Sequence, residues 1–600
     1  MDEWQISQLS DLFLIPFFQI CRAAKGSTEG IIIFMRRVFL IVNSGFFCYF
    51  YVNFRYKRAY GLIAAAIFSS FIPWAMFTLN YYSLTPRLLM VVCVLLFING
   101  DRLQEHPISK FKLLAAGTIL SVAVLIEPPL SVLYLFYSIS VLAFAIIRKK
   151  RSGFCERFAF FINLRCWFYI SAAIFICAPV FIIFLAVKSG IGNIISAFPE
   201  LLKDAEYDFS ANGNVRNFLV SKIPRFAKIF GWHNLAAMIL LCCAAIIYTK
   251  RKKTKHSFFM FFLSNFVLIS CSAYPILSRL LFGKDGWADW MYYSATPFPL
   301  FAFGFVNYLL CRKKDPRLIL IWFVGLFSSV LMDSFSDVSL GICGIICAVP
   351  GVFCFGDILE EYTEYKKQSL PQPLAERRKG EDRSARSFPR RIIKANDVCI
   401  SLSKCAFALF LVVVCANTLF EGFYLYKEDP YKNENTSDLI RIECGPYRGI
   451  YTTKSNQDAM NRLCEDMETI KKMSDGPLFS EGFQPLIPLY LDMPYSNCTT
   501  WNLYQPRDRQ LRYFAAHPEK TPDVIYYYEN LSVKDSLPGS GEYSENAKTF
   551  IEFVNLLCDG TVTNGKAGIM IKVQKWKDPS DPELLAWVEE HKQIGESILQ

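Results

Sequence analysis

The chain has 600 residues, of which 53% are hydrophobic and 16% aromatic, and a formal net charge of +11. One soluble core does not need that much apolar sequence, and the apolar residues come in blocks of membrane-spanning length, so the broad class is a polytopic membrane protein. The positive charge lies in the membrane half, because the tail from Leu419 has an acidic excess of roughly nine residues. Nucleic-acid binding is therefore disfavoured.

Asp2 to Gly30 comes first, with apolar residues at Ile6, Leu9, Phe13, Phe17 and Ile20 at helical spacing. A helix of this kind, placed just before a membrane-length block, either lies in the bilayer interface and holds Asp2 and Glu3 at the surface, or docks on the bundle. The blocks predicted as membrane helices are 31–52, 59–79, 86–100, 112–127, 130–148, 166–188, 232–249, 258–277, 292–311, 318–332, 338–356 and 398–418. That makes about twelve by the twenty-residue criterion.

Lys and Arg cluster at 55–58, 148–151, 250–253, 312–314 and 366–394, every one in an alternate connection. The positive-inside pattern puts those connections in the cytoplasm of a cell membrane and everything after Phe420 outside it. The N-terminus is then extracytoplasmic with no signal peptide to deliver it. The expectation is one more apolar helix upstream of Met1.

Arg36 and Arg37 fall inside the first block, where a cation is costly unless paired, snorkelled or functional; they meet a lipid phosphate, hold Asp2 and Glu3, or reach the headgroups. Arg87 follows the outward connection Leu79-Asn80-Tyr81 and is placed to meet an anionic group. Glu127 tops a Pro128-Pro129 hinge, either solvated or an accessory acid. Arg279, Lys284, Trp287 and Trp290 gather cations and aromatics that suit sugar and phosphate recognition or a plain aromatic girdle.

The polar, basic stretch 357–397 reads as a cytoplasmic linker before a last helix, 398–420. Beyond it, predicted strands at 439–444, 477–480, 524–528 and 568–574 alternate with predicted helices at 456–472, 508–516, 545–558 and 582–599, a small two-layered α/β domain. Cys444, Cys464, Cys498 and Cys558 are the outward thiols, enough for one or two disulfides. Glycosylation sequences stand at Asn435, Asn497 and Asn530. Five scattered histidines, with no His-Glu-x-x-His, no P-loop and no Gly-x-Ser-x-Gly, give no metal or serine hydrolase site.

The order of parts resembles the GT-C class of integral-membrane glycosyltransferases, in particular the bacterial enzymes similar to protein mannosyltransferases and aminoarabinose transferases. The residues that carry the resemblance are Asp2-Glu3-Trp4, the helix to Ile20 and Gly30-Ile31-Ile32-Ile33-Phe34-Met35-Arg36-Arg37. Leu79-Asn80-Tyr81, Gly445-Pro446-Tyr447-Arg448-Gly449-Ile450-Tyr451-Thr452-Thr453 and His517-Pro518-Glu519-Lys520-Thr521-Pro522-Asp523-Val524-Ile525 also resemble a set of uncharacterised bacterial membrane proteins. The implied fold is a mainly α, polytopic helical bundle of GT-C type with an extracytoplasmic C-terminal α/β domain, divided as 1–30, 31–356, 357–397, 398–420 and 421–600. The implied activity is transfer of a sugar from a polyprenyl-phosphate donor to a cell-envelope glycan, lipid or protein acceptor, with membrane lipids as the surroundings. By position Asp2 is the base and Glu3 its neighbour, while Arg36, Arg37, Arg87, Arg279 and Lys284 are the phosphate and donor-lipid candidates. No metal is implied, and the donor lipid takes the place of a cofactor. The competing readings are a flippase or transporter for a lipid-linked glycan and a non-catalytic membrane scaffold, although no inverted repeat is visible.

Overall fold

The computed structural model describes residues 14–54, 58–72, 77–99, 102–103, 108–147, 158–193, 297–311, 315–335, 342–369, 439–481, 486–498, 507–528 and 545–591, with scattered helical positions at 195–270 and 397–405. The chain divides into two compact units. One gathers Met1–Val38, Ala186–Leu202 and Phe423–Gln600; the other holds Phe39–Leu185 and Lys203–Gly422.

Among the described residues, four stretches are long and apolar enough to cross a membrane: Ile31–Asn53, Pro128–Ile146, Leu164–Val187 and Ile342–Lys367. They mark a membrane protein. The helices of this half are α2 (Ile31–Asn53), α3 (Arg58–Ser70), α4 (Tyr81–Phe97), α5 (Lys110–Ile126), α6 (Ser131–Ile147), α7 (Leu164–Ser189), α8 (Pro297–Leu310), α9 (Pro316–Phe335) and α10 (Ile345–Ser369), after a short α1 (Ile15–Lys25). The predicted helix 59–79 stops at Ser70, shortly before Pro73 in the sequence, because the residue ahead of a proline is pushed out of helical geometry. Its 13 residues rise only about 20 Å, short of the bilayer's hydrocarbon thickness. Conversely, α10 runs to Ser369, into the stretch 357–397 expected as linker.

Helix α10 is the axis of the membrane unit. Its spanning window is 94% buried, against 17% for Pro128–Ile146 and 22% for Leu164–Val187. Close approach is possible because glycines face side chains across the helix contacts: a Cβ on Gly351 would meet the Phe303 ring at 2.5 Å, and one on Gly304 the Trp322 ring at 2.7 Å. Interhelical hydrogen bonds join Asn307 Nδ2 to Asn265 Oδ1 at 3.0 Å and the Tyr134 and Ser171 hydroxyls at 2.6 Å. By contrast, α6 and α7 turn Leu135, Ile139, Ile146, Phe175 and Val180 outward, and Ile146 is 75% exposed. An apolar face of that extent is stable against lipid chains and costly against water.

The other unit is built on a mixed four-stranded sheet in the order β5-β6-β8-β7. Its strands are Leu478–Glu481 (β5), Val524–Tyr528 (β6), Cys558–Asn564 (β7) and Gly568–Trp576 (β8), with β5 parallel to β6 and the other pairs antiparallel. Two small hairpins precede it in the chain, Ile98–Asn99 with Arg102–Leu103 (β1, β2) in the membrane unit and Ile440–Arg441 with Tyr451–Thr452 (β3, β4) here. Alternate residues of β6 serve opposite faces, as the pleat requires. Val524, Tyr526 and Tyr528 pack on α11 (Lys454–Met473) and α12 (Leu486–Leu491), while Ile525 and Tyr527 pack with α13 (Arg507–Ala516), α14 (Glu545–Leu557) and α15 (Pro582–Glu590). With both faces covered, the domain has three layers rather than the two expected. Strand β7 was not expected: Asp559, Gly560 and Thr561 are exposed on the sheet edge, so its sequence lacks apolar alternation.

Cys444 and Cys464 form a disulfide, while Cys498 and Cys558 are buried free thiols. Asn497 is 1% exposed and donates to the Ser480 carbonyl at 2.6 Å, so its amide is closed to a glycan; Asn435 and Asn530 lie outside the described residues. Replacing Cys464 by Ser should cost the domain about 3 kcal/mol, given the 20-residue separation of the pair. Denaturant melts of the oxidised chain and the variant check this.

Candidate functional site

The start of α2 is where two distant parts of the sequence meet. Helix α1 ends at Gly26, whose left-handed backbone (φ 68°) lets its N–H bond the Arg22 carbonyl at 2.7 Å. The chain turns through Ser27 and Thr28 and enters α2 at Gly30, also left-handed at φ 63°. Cys21 of α1 then packs on Ile31 and Met35, folding α1 back against the opening of α2.

The first N–H groups of a helix have no intrahelical partner. Here Gly30 N donates to the Gly445 carbonyl at 3.0 Å and Ile32 N to the Pro446 carbonyl at 3.2 Å, so the turn 445–449 caps α2. Glu29 receives an ion pair from Arg448 and a hydrogen bond from the Tyr490 hydroxyl at 3.3 Å. Thr28 Oγ1 donates to the Tyr490 carbonyl at 3.0 Å, and Arg22 pairs with Asp492. The Glu29 bond holds the Arg448 guanidinium even more firmly protonated than usual. Burial, then the Glu29 charge, pushes the Tyr490 phenol up to about 12.

Beside this junction lies a cavity of about 410 Å³, lined by Lys25, Glu29, Arg37, Arg441 and Arg448 with Gly30, Ile33 and Gly449 as its small and apolar walls. Lys25 Nζ donates to the Glu29 carbonyl at 3.0 Å. Among the described residues neither Arg37 nor Arg441 has an ion-pair partner. Four cations thus face one carboxylate, and that carboxylate is engaged. Arg36, next to Arg37, turns elsewhere: it is half-buried and interacts with Tyr447.

Of the residues singled out from sequence, Arg36 and Arg37 are therefore in this unit, and only Arg37 lines the cavity. Asp2, Glu3, Arg279 and Lys284 lie outside the described residues. Arg87 is in the membrane unit and 2% exposed. Its Nε donates to Asn43 Oδ1 at 2.9 Å, its Nη1 to the Ser83 carbonyl at 2.6 Å, and it stacks over Phe39. Those contacts tie α4 to α2 from inside. Glu127 is 6% exposed at the end of α5, so it is buried rather than solvated.

Arg441, Arg448 and Lys25 were not singled out as site residues. Arg448 had a signal, since it lies in the Gly445 to Thr453 phrase; Arg441 had none, being one cation in an acidic tail. No protein-family model matches the chain, and no curated protein matches its sequence.

A further buried acid sits under the sheet. Asp466 of α11 accepts the Tyr526 hydroxyl at 3.0 Å and the Ala567 N–H at 2.8 Å, and it also caps Lys566 N, which pins the β7–β8 turn. Desolvation nevertheless raises its pKa above the ordinary carboxylate value. The cluster is enclosed and structural.

Two outcomes follow for the junction. Gly30→Ala should lose about 1–2 kcal/mol from the left-handed backbone alone, with a further loss because its Cβ would stand 2.8 Å from the Arg448 carbonyl; thermal melts of the purified chain measure it. Because the folded Tyr490 pKa is raised, its contribution is complete below pH ~10 and lost as pH rises through about 12. The ultraviolet difference between wild type and Tyr490→Phe should accordingly titrate near 12, not near 10.

Proposed function

We propose that this chain is a membrane glycosyltransferase that moves a sugar from a polyprenyl-phosphate donor to an acceptor outside the cytoplasmic membrane. The observation that supports this reading is the junction itself. The block Gly30 to Arg37, which carries the resemblance to GT-C enzymes, and the phrase beginning at Gly445, which carries the resemblance to a set of uncharacterised bacterial membrane proteins, hydrogen-bond to one another through Gly30 with Gly445 and Ile32 with Pro446. Segments more than 400 residues apart need not meet, and they do so beside a cation-lined cavity.

In this reading the membrane half is a GT-C bundle of about twelve helices, and the α/β domain faces the outside. Asp2 takes the proton of the acceptor hydroxyl, with Glu3 beside it; the acceptor oxygen bonds the anomeric carbon as the carbon–phosphate oxygen bond breaks. The electron pair leaves on the polyprenyl phosphate, whose charge Arg37 stabilises, with Arg279 and Lys284 as further cations, while Arg36 faces Tyr447 instead. Arg87, buried among Asn43, Ser83 and Phe39, ties α4 to α2 in the half that carries this arrangement.

The test is transfer of labelled sugar by membranes containing the chain, offered a panel of polyprenyl-phosphate sugars. Replacing Asp2 and Glu3 by Asn and Gln should lower turnover about a hundredfold or more while leaving donor binding intact. Lipid translocation without a new glycosidic bond would replace this reading with a flippase; indifference to both substitutions would replace it with a scaffold.

A further inference from the structure

The cavity beside α2 carries a ligand assignment of its own, one that holds whether or not the chain transfers sugar. We infer that Lys25, Arg37, Arg441 and Arg448 form a binding site for a phosphate-bearing headgroup whose charge matches a diphosphate better than a single phosphate.

The argument starts from charge. Four cations line about 410 Å³ of space with one carboxylate, Glu29, so the lining itself carries a surplus of three positive charges, while Glu443 adds its field at Arg448 from outside the lining. Glu29 is already bonded by Arg448 and Tyr490, so it is oriented away from a ligand role and acts as the holder of Arg448. Arg37 and Arg441 have no acidic partner among the described residues, yet they converge on the same space from α2 and β3. Like charges gathered this way repel unless an anion sits between them. A single phosphate ester carries about −1.5 to −2 at neutral pH, and a second phosphoryl group brings the total nearer to the cationic surplus.

Donor geometry points the same way. Each guanidinium presents a planar fork that engages two phosphate oxygens at once, and Lys25 retains ammonium protons beyond the one given to the Glu29 carbonyl. A carboxylate has two oxygens and satisfies one such fork; a diphosphate has oxygens enough for several. The amide donors of the α2 N-terminus take no part, since the Gly445, Thr28 and Pro446 carbonyls occupy them. Recognition is therefore by side chains from both ends of the sequence. Gly449 contributes by absence: a Cβ there would stand 3.7 Å from Arg441 Nη2, narrowing the space before that guanidinium. Arg37 lies on the second turn of α2, a helix long and apolar enough to cross a membrane.

The experiment is calorimetric titration of the purified full chain in detergent with inorganic pyrophosphate, inorganic phosphate and sulfate. Pyrophosphate should bind at least about tenfold more tightly than sulfate or phosphate, and Arg37→Gln or Arg441→Gln should each weaken it about tenfold. Both side chains are exposed, so neither substitution threatens folding, and an unchanged melting temperature verifies that. Equal affinity for pyrophosphate and sulfate, or pyrophosphate binding unaffected in both variants, overturns the assignment. Repeating the titration in phosphatidylcholine nanodiscs with and without a polyprenyl diphosphate separates the sources: competition by that lipid identifies a membrane-borne diphosphate headgroup, and its absence a soluble diphosphate. Asp2 and Glu3 variants should bind pyrophosphate as wild type does, so loss of sugar transfer and loss of anion binding are read separately.

Discussion

The structure of the N-terminal segment depends on how a helix that enters a membrane satisfies its first amide groups. In lipid an unpaired N–H is expensive, and most helices solve the problem with a side chain of their own or with water. Here Ile31 N bonds the local Thr28 carbonyl, while the Gly30 and Ile32 donors on either side of it are taken by two carbonyls, Gly445 and Pro446, that belong to the far end of the chain. The ion pair between Glu29 and Arg448 and the bond from Thr28 to the Tyr490 backbone make the same connection with side chains. Two glycines set the geometry. Gly30 must be left-handed to aim its amide, and Gly445 must be left-handed to turn the chain that receives it.

This arrangement explains why the cations of the cavity come from three separate places. Lys25 is fixed by the end of α1, Arg37 by the second turn of α2, and Arg441 and Arg448 by the β3–β4 hairpin. None of these elements makes an anion site alone. Glu29 separates the cations into two kinds, since it engages Arg448 as part of the structure and leaves Arg37 and Arg441 uncommitted. The membrane unit handles its buried cation in another way, holding Arg87 against the Asn43 and Ser83 oxygens and the Phe39 ring.

Much of the fold was legible in the sequence, and the places where it was not have physical causes. The apolar face of Asn456 to Lys472 and the unbroken β-branched and aromatic run Val524 to Tyr528 announced α11 and β6, because the helix buries one periodic face and the strand is covered on both. β7 was hidden because an edge strand with an exposed face needs no such period. The twelve apolar blocks were read as equal spans, yet hydropathy reports composition and not helix ends, so neither the early stop of α3 nor the continuation of α10 through Glu360 and Lys366 was visible. At the site, Arg37 stood out because a cation in an apolar block is anomalous. Arg441 and Arg448 did not, since cations in a polar tail are ordinary until folding brings them beside α2. Arg87 stood out for its place beside an outward connection, but sequence does not distinguish a cation aimed at a ligand from one enclosed by its neighbours.

The disulfide between Cys444 and Cys464 sits next to Gly445, and a Cβ on that glycine would approach Cys464 Sγ at 3.0 Å. The turn that caps α2 is therefore anchored to α11 by a bond that forms only in an oxidising compartment. A chain inserted with its tail on the reducing side of the membrane would fold the same sheet but leave that turn untethered, and α2 would enter the bilayer less well capped. Whether the cap of α2 is tethered is in this sense set by the redox state of two sulfurs, at the point where the first described spanning helix begins.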